Sequence, residues 1–325
     1  MNIKVAALTL VCCLPAAALA QSGRQVQTIH LPAGVTVQYG TMSRAGTMFA
    51  TIDSDNVVRV WSTRSGELLQ RLADGGHPPA DVAFSPDGRY LAVAFEFVPN
   101  EKSVLKILNV DSWKVEHEFA GPDVFGMAFS MDNRRLALTN FGSVTQIWDV
   151  ETSRMLADIS PPFGGSTSFA FSGDGKWLAT ADGDGHVRVF EAASGKPRSS
   201  GTEFVLEPLA VAFSQDNKSI IAGGGDKTVS IIDPETGKVL RTLPKQPGLI
   251  LSLDVSADKK QVAVIYGSAD SFATVDHLML WDLNTGAVLA DFQKPGITIV
   301  GGAFVDDHYQ FAALSDNQLG VWSLR

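Results

Sequence analysis

The sequence predicts an all-β chain built from seven repeats of one four-stranded unit, and three observations lead to that prediction. First, an apolar residue followed by serine recurs at a nearly constant interval. Second, aspartate followed by glycine or asparagine stands just after most of these pairs. Third, a short apolar strand follows each turn at a similar distance. Self-similarity with a period of roughly 40–45 residues is typical of repeat architectures in which neighbouring units share one continuous core.

We call the apolar residue of each pair the anchor of its repeat. Six anchors precede serine, and the seventh precedes Val305. By subtraction, successive anchors lie 42, 45, 42, 42, 42 and 49 residues apart. The anchors are Met42, Phe84, Phe129, Phe171, Phe213, Val255 and Phe304.

Two further positions keep step with the anchors. Aspartate stands three residues after six anchors, and only the first repeat has Ala45 there. Asp followed by Gly or Asn favours a tight turn, because Asp bonds its own backbone and Gly or Asn tolerates positive φ. A small residue recurs eight residues after the anchor, which predicts close contact between sheets. The residues at this second position are Ala50, Ala92, Ala137, Ala179, Ile221, Ala263 and Ala312.

The strand pattern identifies the type of repeat. Each unit of about 42 residues holds four short strands, which is the signature of a β-propeller blade. The segment 90–95 is apolar on both faces, as expected for a sheet that is packed between neighbouring sheets. A β-helix would need a much shorter repeat. We therefore predict a single seven-bladed propeller domain over residues 21–325, with four-stranded antiparallel blades.

The two ends of the chain suggest how the ring closes. The seventh repeat stops at residues 322–325, directly after its third strand, so its fourth strand is missing there. Residues 25–31 form a spare strand before the first repeat. We expect this strand to complete the last blade beside Trp322.

The units resemble WD40 repeats over essentially the whole chain after residue 20. The turn from Phe84 to Gly88 and the Trp-Asp pairs at 148–149 and 281–282 carry this resemblance. The Gly-His pair of the family occurs once, at Gly76 and His77, in a unit that has Leu108 where the family has Trp. The resemblance implies an interaction platform, although a fold does not by itself give a function.

Residues 1–20 predict export. A lysine at position 4, an apolar stretch over residues 5–14 and a small-x-small site before Gln21 have the order of a cleaved signal peptide. We expect cleavage after Ala20, a periplasmic or secreted protein, and no integral membrane segment after removal of the signal. Lipid anchoring at Cys12 or Cys13 is an open alternative.

The net charge and the motifs of the chain argue against several classes of function. The formal net charge of −9, without a basic cluster, argues against nucleic acid as a partner. No catalytic constellation, haem motif or phosphate-binding loop is visible, so we predict a non-enzymatic protein without a cofactor. The string from Asp182 to His186 resembles the opening of a calcium loop, but its place between two strands favours a turn, and no metal ligand is assigned.

Loop lengths indicate where a partner would bind. Two repeats carry insertions between their second and third strands, at residues 96–103 and 267–277, and both rise on one face. Long loops on a rigid scaffold are where binding usually resides. Exposed aromatic residues among acids and prolines suit a protein or peptide partner. The candidate partner-binding residues are Phe97, Asp123, Phe125, Phe163, Phe204, Phe272 and His277.

The partner itself is not identified by any motif, and we expect a monomer. An alternative function is open at this point. The ring could bind a small molecule or glycan at the mouth of its axial channel, with or without hydrolytic activity. A single large ring offers such a channel in addition to its loops.

Overall fold

The structure is a computed structural model of the chain. It describes residues 23–73, 77–96, 103–120, 124–140, 144–160, 165–198, 201–204, 206–214, 216–258, 260–267, 277–294, 296–305, 308–315 and 318–324. Within these ranges every regular element is a strand. The strands form seven four-stranded antiparallel sheets, so the predicted seven-bladed propeller is confirmed.

The blades follow one another along the chain. Blade 1 consists of β2 (Val37–Met42), β3 (Met48–Asp53), β4 (Val58–Ser62) and β5 (Leu68–Leu72). Blade 2 consists of β6 (Pro79–Phe84), β7 (Tyr90–Phe95), β8 (Val104–Asn109) and β9 (Val115–Ala120). Blade 3 consists of β10 (Val124–Phe129), β11 (Arg135–Asn140), β12 (Thr145–Asp149) and β13 (Arg154–Ile159). Blade 4 consists of β14 (Ser166–Phe171), β15 (Trp177–Asp182), β16 (His186–Glu191) and β17 (Thr202–Glu203).

The remaining blades complete the ring. Blade 5 consists of β18 (Pro208–Phe213), β19 (Ile220–Gly224), β20 (Val229–Ile232) and β21 (Val239–Thr242). Blade 6 consists of β22 (Ile250–Val255), β23 (Gln261–Tyr266), β24 (His277–Asp282) and β25 (Val288–Gln293). Blade 7 consists of β26 (Thr298–Val305), β27 (His308–Ser315), β28 (Gln318–Leu324) and, from the other end of the chain, β1 (Arg24–His30).

The closure of the ring is the one place where distant parts of the sequence share a sheet. The order in blade 7 is β1-β28-β27-β26, and Ile29 pairs with Leu319. Ile29 is fully buried, in a cluster that also contains Phe49 and Trp61 of blade 1. The predicted closing strand is therefore confirmed, with bounds one residue earlier than the sequence indicated.

The apolar core lies in the seams between blades. Seven clusters of buried residues occur among the described residues, and each draws its members from two adjacent blades. The small residues that recur eight positions after the anchors are all at most 1% exposed, as predicted for close sheet-to-sheet contact. Each blade is therefore stabilised mainly by its two neighbours, because a single sheet has nothing else to cover its two apolar faces.

The turns after the anchors have the chemistry that the sequence predicts. In five repeats the serine after the anchor donates its hydroxyl to the aspartate two residues later, as Ser85 does to Asp87 at 2.7 Å. In four of these repeats the residue after that aspartate has positive φ: Gly88 (75°), Asn133 (60°), Gly175 (69°) and Asn217 (60°). The hairpin is thereby fixed by a local hydrogen bond and a left-handed residue.

The closing strand offers a direct test of how much the ring depends on it. We expect Ile29→Ala to lower the free energy of unfolding by about 2–5 kcal/mol, because it leaves a cavity in the seam between blades 7 and 1. Val26→Ala, on the same strand but 49% exposed, is the matched control and should change stability by less than about 0.5 kcal/mol. Urea unfolding of both variants measures the difference, and equal effects would show that β1 does not seal the seam.

Candidate functional site

The alternation of strand directions gives the disc two different faces. Loops that join second to third strands, and loops that join one blade to the next, open on what we call the loop face. Turns that join first to second and third to fourth strands open on the hairpin face. The insertions at 96–103 and 267–277 follow β7 and β23, which are second strands. Both insertions therefore lie on the loop face, where the sequence placed them.

The insertion of blade 6 leaves the sheet through an aromatic stem. Tyr266 ends β23, His277 begins β24, and the two residues are paired across the strands. Their rings stack with centroids 4.8 Å apart and an interplanar angle of 17°. Tyr266 is 1% exposed, so the base of this loop is fixed in the seam of the blade. His277 is thus a stem residue, and residues 268–276 lie outside the described part of the chain.

The insertion of blade 2 has a stem of different composition. Phe95 pairs with Val104 across the two strands, and the Lys106 ammonium lies 5.5 Å from the centre of the Phe95 ring. The Glu96 amide donates to the Pro78 carbonyl at 2.8 Å, and His77 Nδ1 lies 3.2 Å from the Glu96 carbonyl oxygen. His77 therefore helps to hold the point at which this loop begins. Residues 97–102 lie outside the described part of the chain.

A buried arginine braces the short loop-face turn of blade 4. The Arg188 guanidinium donates to Asp182 and to Asp184, both at 2.7 Å, while Ser166 donates its hydroxyl to Asp182 at 2.9 Å. Burial raises the pKa of Asp182, whereas the hydrogen bond from Arg188 lowers the pKa of Asp184. The two aspartates raise the pKa of Arg188 further above its ordinary value. The segment from Asp182 to His186 is therefore a turn that Arg188 holds in place. Its carboxylates already accept hydrogen bonds from that guanidinium.

Blade 1 repeats this brace at the same place. Arg59 donates to Asp53 and Asp55, and Asp53 is fully buried. No group of three or more histidine, cysteine, aspartate or glutamate side chains in the described ranges could hold a metal ion. These two loop-face turns are thus short, and their charges are neutralised within the turn.

The candidate partner-binding residues have different outcomes. Phe97, Asp123, Phe163 and Phe272 lie outside the described residues; Phe125 is in the backbone of β10, but its side chain is outside them as well. Phe204 was expected to be exposed, and this is wrong: it is 8% exposed and packs in the seam between blades 4 and 5. Its amide donates to the Gly185 carbonyl at 2.7 Å, so it closes the end of blade 4.

Leu206 is an exposed apolar residue that the sequence reading missed. It is 55% exposed in the connection from β17 to β18, on the loop face, two residues after the buried Phe204. The available signal was an apolar run, Phe204 to Leu206, between Glu203 and Glu207 in a segment that joins two blades. The exposed apolar residue of this loop is therefore the leucine and not the phenylalanine.

The axial channel is lined by the first strands, because the first strands of neighbouring blades contact one another around the ring. Small residues occupy most positions one or three residues before the anchors, with three exceptions: Tyr39, Asp81 and Asp254. Tyr39 is 46% exposed and is the largest of them. The sequence gave no reason to single out these positions, because their position in the channel follows only from the closed ring.

Two of these channel residues link neighbouring blades. Asp81 accepts the Met127 amide of blade 3 at 2.7 Å, and Asp254 accepts the Phe304 amide of blade 7 at 3.0 Å. Burial raises the pKa of Asp81 to about 7, although its two backbone hydrogen bonds act in the opposite direction. The charge of Asp81 raises the pKa of Tyr39. The inner edges of the blades are thus tied together by side chains as well as by packing.

Two cavities of about 530 and 560 Å³ lie along this axis and share Ser252 and Gly302 in their walls. The cavity of about 530 Å³ is lined by the starts of first strands from blades 1, 6 and 7, including Tyr39 and Thr298. The cavity of about 560 Å³ is lined by the ends of all seven first strands and includes Arg44. The two cavities therefore adjoin each other at the first strands of blades 6 and 7.

The family described as "WD domain, G-beta repeat" matches residues 163–191 and 204–233, which lie mainly in blades 4 and 5. The chain is also similar to the WD repeat-containing protein SL1-17 of Schistosoma mansoni, with 29% identity over 162 residues, covering 48% of this chain and 50% of the relative. It is 22% identical over 198 residues to THO complex subunit 3 of Arabidopsis thaliana, covering 61% of each.

Another similar protein is autophagy-related protein 16 of Arabidopsis thaliana, with 23% identity over 257 residues, covering 76% of this chain and 47% of the relative. A fourth is telomerase protein component 1 of Rattus norvegicus, 26% identical over 181 residues that cover 54% of this chain and 7% of the relative. The matched part of the chain thus spans less than two thirds of the length of each of these relatives.

The buried arginine of blade 4 gives a prediction about stability. Arg188→Met should lower the free energy of unfolding by about 3–5 kcal/mol, because it leaves the fully buried Asp182 without its cation. Lys176→Met removes an exposed ion pair of the same blade and should cost less than about 1 kcal/mol. Denaturant melts of the two variants measure both values, and a small effect at Arg188 would contradict the bracing role.

The buried Asp81 gives a prediction about pH. Its pKa in the folded chain, about 7, lies above the ordinary 3.8, so its contribution to stability is fully present below about pH 4 and is lost as the pH rises through 7. Asp81→Asn should therefore show a smaller loss of unfolding free energy than the wild type between pH 4 and 7. Denaturant melts across that range measure the two slopes, and identical slopes would refute the assignment.

Proposed function

We propose that this chain, a seven-bladed β-propeller of the WD40-repeat family, is an exported and non-enzymatic scaffold that binds a protein or peptide on its loop face. This proposal rests on one observation: two long insertions leave that face, and each has a rigid stem. The insertions at residues 96–103 and 267–277 both leave blades whose strands are fully paired up to the last residue before the loop.

The fixed bases of the two loops favour a binding role for the insertions over the alternative that they are ordinary variation in loop length. The stack of Tyr266 on His277 fixes the base of one loop, and the contact of His77 with the Glu96 carbonyl fixes the base of the other. A loop held at its base loses less conformational entropy when a partner orders it, so more of the contact energy remains as affinity. The exposed Leu206 adds an apolar contact to the same face.

The relatives support an interaction role of this kind. The printed name of THO complex subunit 3 makes that protein part of a larger complex, and it matches over 61% of this chain. Autophagy-related protein 16 is a second similar protein, and the match covers 76% of this chain. For the present chain the identity of the partner is open, and the loop face is where we would look for it.

Export is supported by the first twenty residues and by the absence of cysteine after Cys13. A chain without thiols is unaffected by an oxidising compartment. The first described strand begins at Arg24, so the proposed cleavage after Ala20 would leave β1 whole. None of the described residues forms an apolar helix of membrane-spanning length.

Export can be tested by the mass of the mature protein. We expect protein recovered from its native compartment to begin at Gln21 and to lack both cysteines. Intact-mass measurement with N-terminal sequencing determines this directly. Recovery of the chain with residues 1–20 in place, or with a lipid on Cys12 or Cys13, would contradict the proposed cleavage.

The binding role can be tested by removing one insertion. We expect replacement of residues 268–276 by a Gly-Asp-Gly turn like that of blade 4 to abolish crosslinking to the native partner and to leave the thermal melt nearly unchanged. Lys176→Glu, an exposed change on the hairpin face, is the control and should keep the partner. Crosslinking in the native compartment, followed by mass spectrometry, shows which variant retains the partner. A partner that survives loop removal, or that is lost in the control, would refute the assignment of this face.

A further inference from the structure

The hairpin end of the axial channel has the features of a second binding site, on the face opposite the insertions. Its cavity of about 560 Å³ is within the usual range for small-molecule sites. All seven anchors contribute to its wall, so every blade takes part. Six anchors are 6–9% exposed and Phe84 is half-buried, so the anchors contribute only part of their side-chain surface to the wall.

Arg44 is the one cation among the described residues that line this cavity. It lies in the first repeat, which alone has alanine where the other six have the turn aspartate. The local bond between serine and aspartate that fixes the hairpin in five other repeats is therefore missing at this turn. In its place a guanidinium extends across the mouth toward blade 3.

The guanidinium of Arg44 is incompletely satisfied. Its Nη1 donates to the Met131 sulfur at 3.0 Å, and thioether sulfur is a weak acceptor. No carboxylate in the described ranges forms an ion pair with it. Asp254 is close enough to interact with its charge, but the oxygens of Asp254 accept the Val255 and Phe304 amides at 2.8 and 3.0 Å. Most of the five N–H donors of Arg44 are thus left for solvent or a ligand.

The wall of the cavity is polar without being highly charged. First strands stand at the end of each sheet, so their inner edges have no strand partner and turn backbone N–H and C=O groups toward the axis. The side chains one residue before the anchors are small, as at Ala128, Ala170 and Ala212, except for Asp254, which is the one carboxylate among the described residues of this wall. Such a wall offers hydrogen bonds to hydroxyl groups and leaves room for a ring.

We propose that this cavity binds a polyhydroxylated carboxylate of the uronic acid type, with Arg44 receiving the carboxylate. Guanidinium and carboxylate form two parallel hydrogen bonds, which fixes both the charge and the orientation of the ligand. The free backbone groups of the first strands and the Ser252 hydroxyl then contact the sugar hydroxyls. A purely apolar acid would leave those backbone groups without partners, which is costly.

The test uses digalacturonate as the probe and galactobiose as its neutral counterpart, each titrated calorimetrically into the purified protein. We expect digalacturonate to bind at least tenfold more tightly than galactobiose. Arg44→Gln should remove that difference, because it removes the cation that distinguishes the two probes. Arg134→Gln, an exposed change on the same face outside the cavity, is the matched control and should leave the affinity for digalacturonate unchanged.

A second variant tests the role of the space in the cavity separately from the charge of Arg44. Ala257 is exposed in the wall at the position that Arg44 has in the first repeat, so Ala257→Trp should fill the mouth without disturbing a seam. We expect it to weaken digalacturonate binding at least tenfold with Arg44 still present. The proposal is overturned if neither sugar binds, if both bind equally, or if either cavity variant binds digalacturonate as the wild type does.

Discussion

The structure depends above all on the packing of each sheet against the next, because no blade can cover its own two apolar faces. The seven buried clusters lie in the seven seams, and none is confined to one blade. Removing any blade would therefore expose two apolar surfaces at once. In the seam between blades 7 and 1 the two backbones approach closely, since a Cβ added at Gly301 would lie 2.4 Å from the Gly40 carbonyl oxygen. Glycine at these positions lets the ring close.

This source of stability explains why the two faces of the disc can differ in function. The seams run through the thickness of the ring, so loops at either end contribute little to the core. On one face, Arg59 and Arg188 keep two turns short and rigid, while two other blades carry insertions. On the other face, local serine–aspartate bonds fix the same hairpin in five repeats, whereas the first repeat has Ala45 in place of the aspartate. Each of the two proposed binding sites thus lies where the chain departs from the repeat. The scaffold tolerates such departures because its core lies in the seams.

Most of the fold could be predicted from the sequence, because the features that define it repeat in step along the chain. The anchors, the aspartate turns and the closing strand all follow from local patterns and from counting. Phe204 was misjudged because it lies between Glu203 and Glu207 in sequence, whereas in space it meets Val187 and Phe213 of two blades. Asp81 and Asp254 were missed for the same reason, since their partners Met127 and Phe304 are about 50 residues away along the chain.

The pairing of β1 with β28 has a consequence for the order in which the ring assembles. Ile29 and Leu319 are 290 residues apart by subtraction, so the strand that is synthesised first finds its partner last. Contacts of such long range are slow to form, and an unpaired strand is meanwhile a template for aggregation. The composition of β1 limits the risk of aggregation while the strand is unpaired. Gln25, Gln27 and Thr28 are polar, and Ile29 is the one fully buried residue of the strand, so the waiting segment offers little apolar surface to other chains.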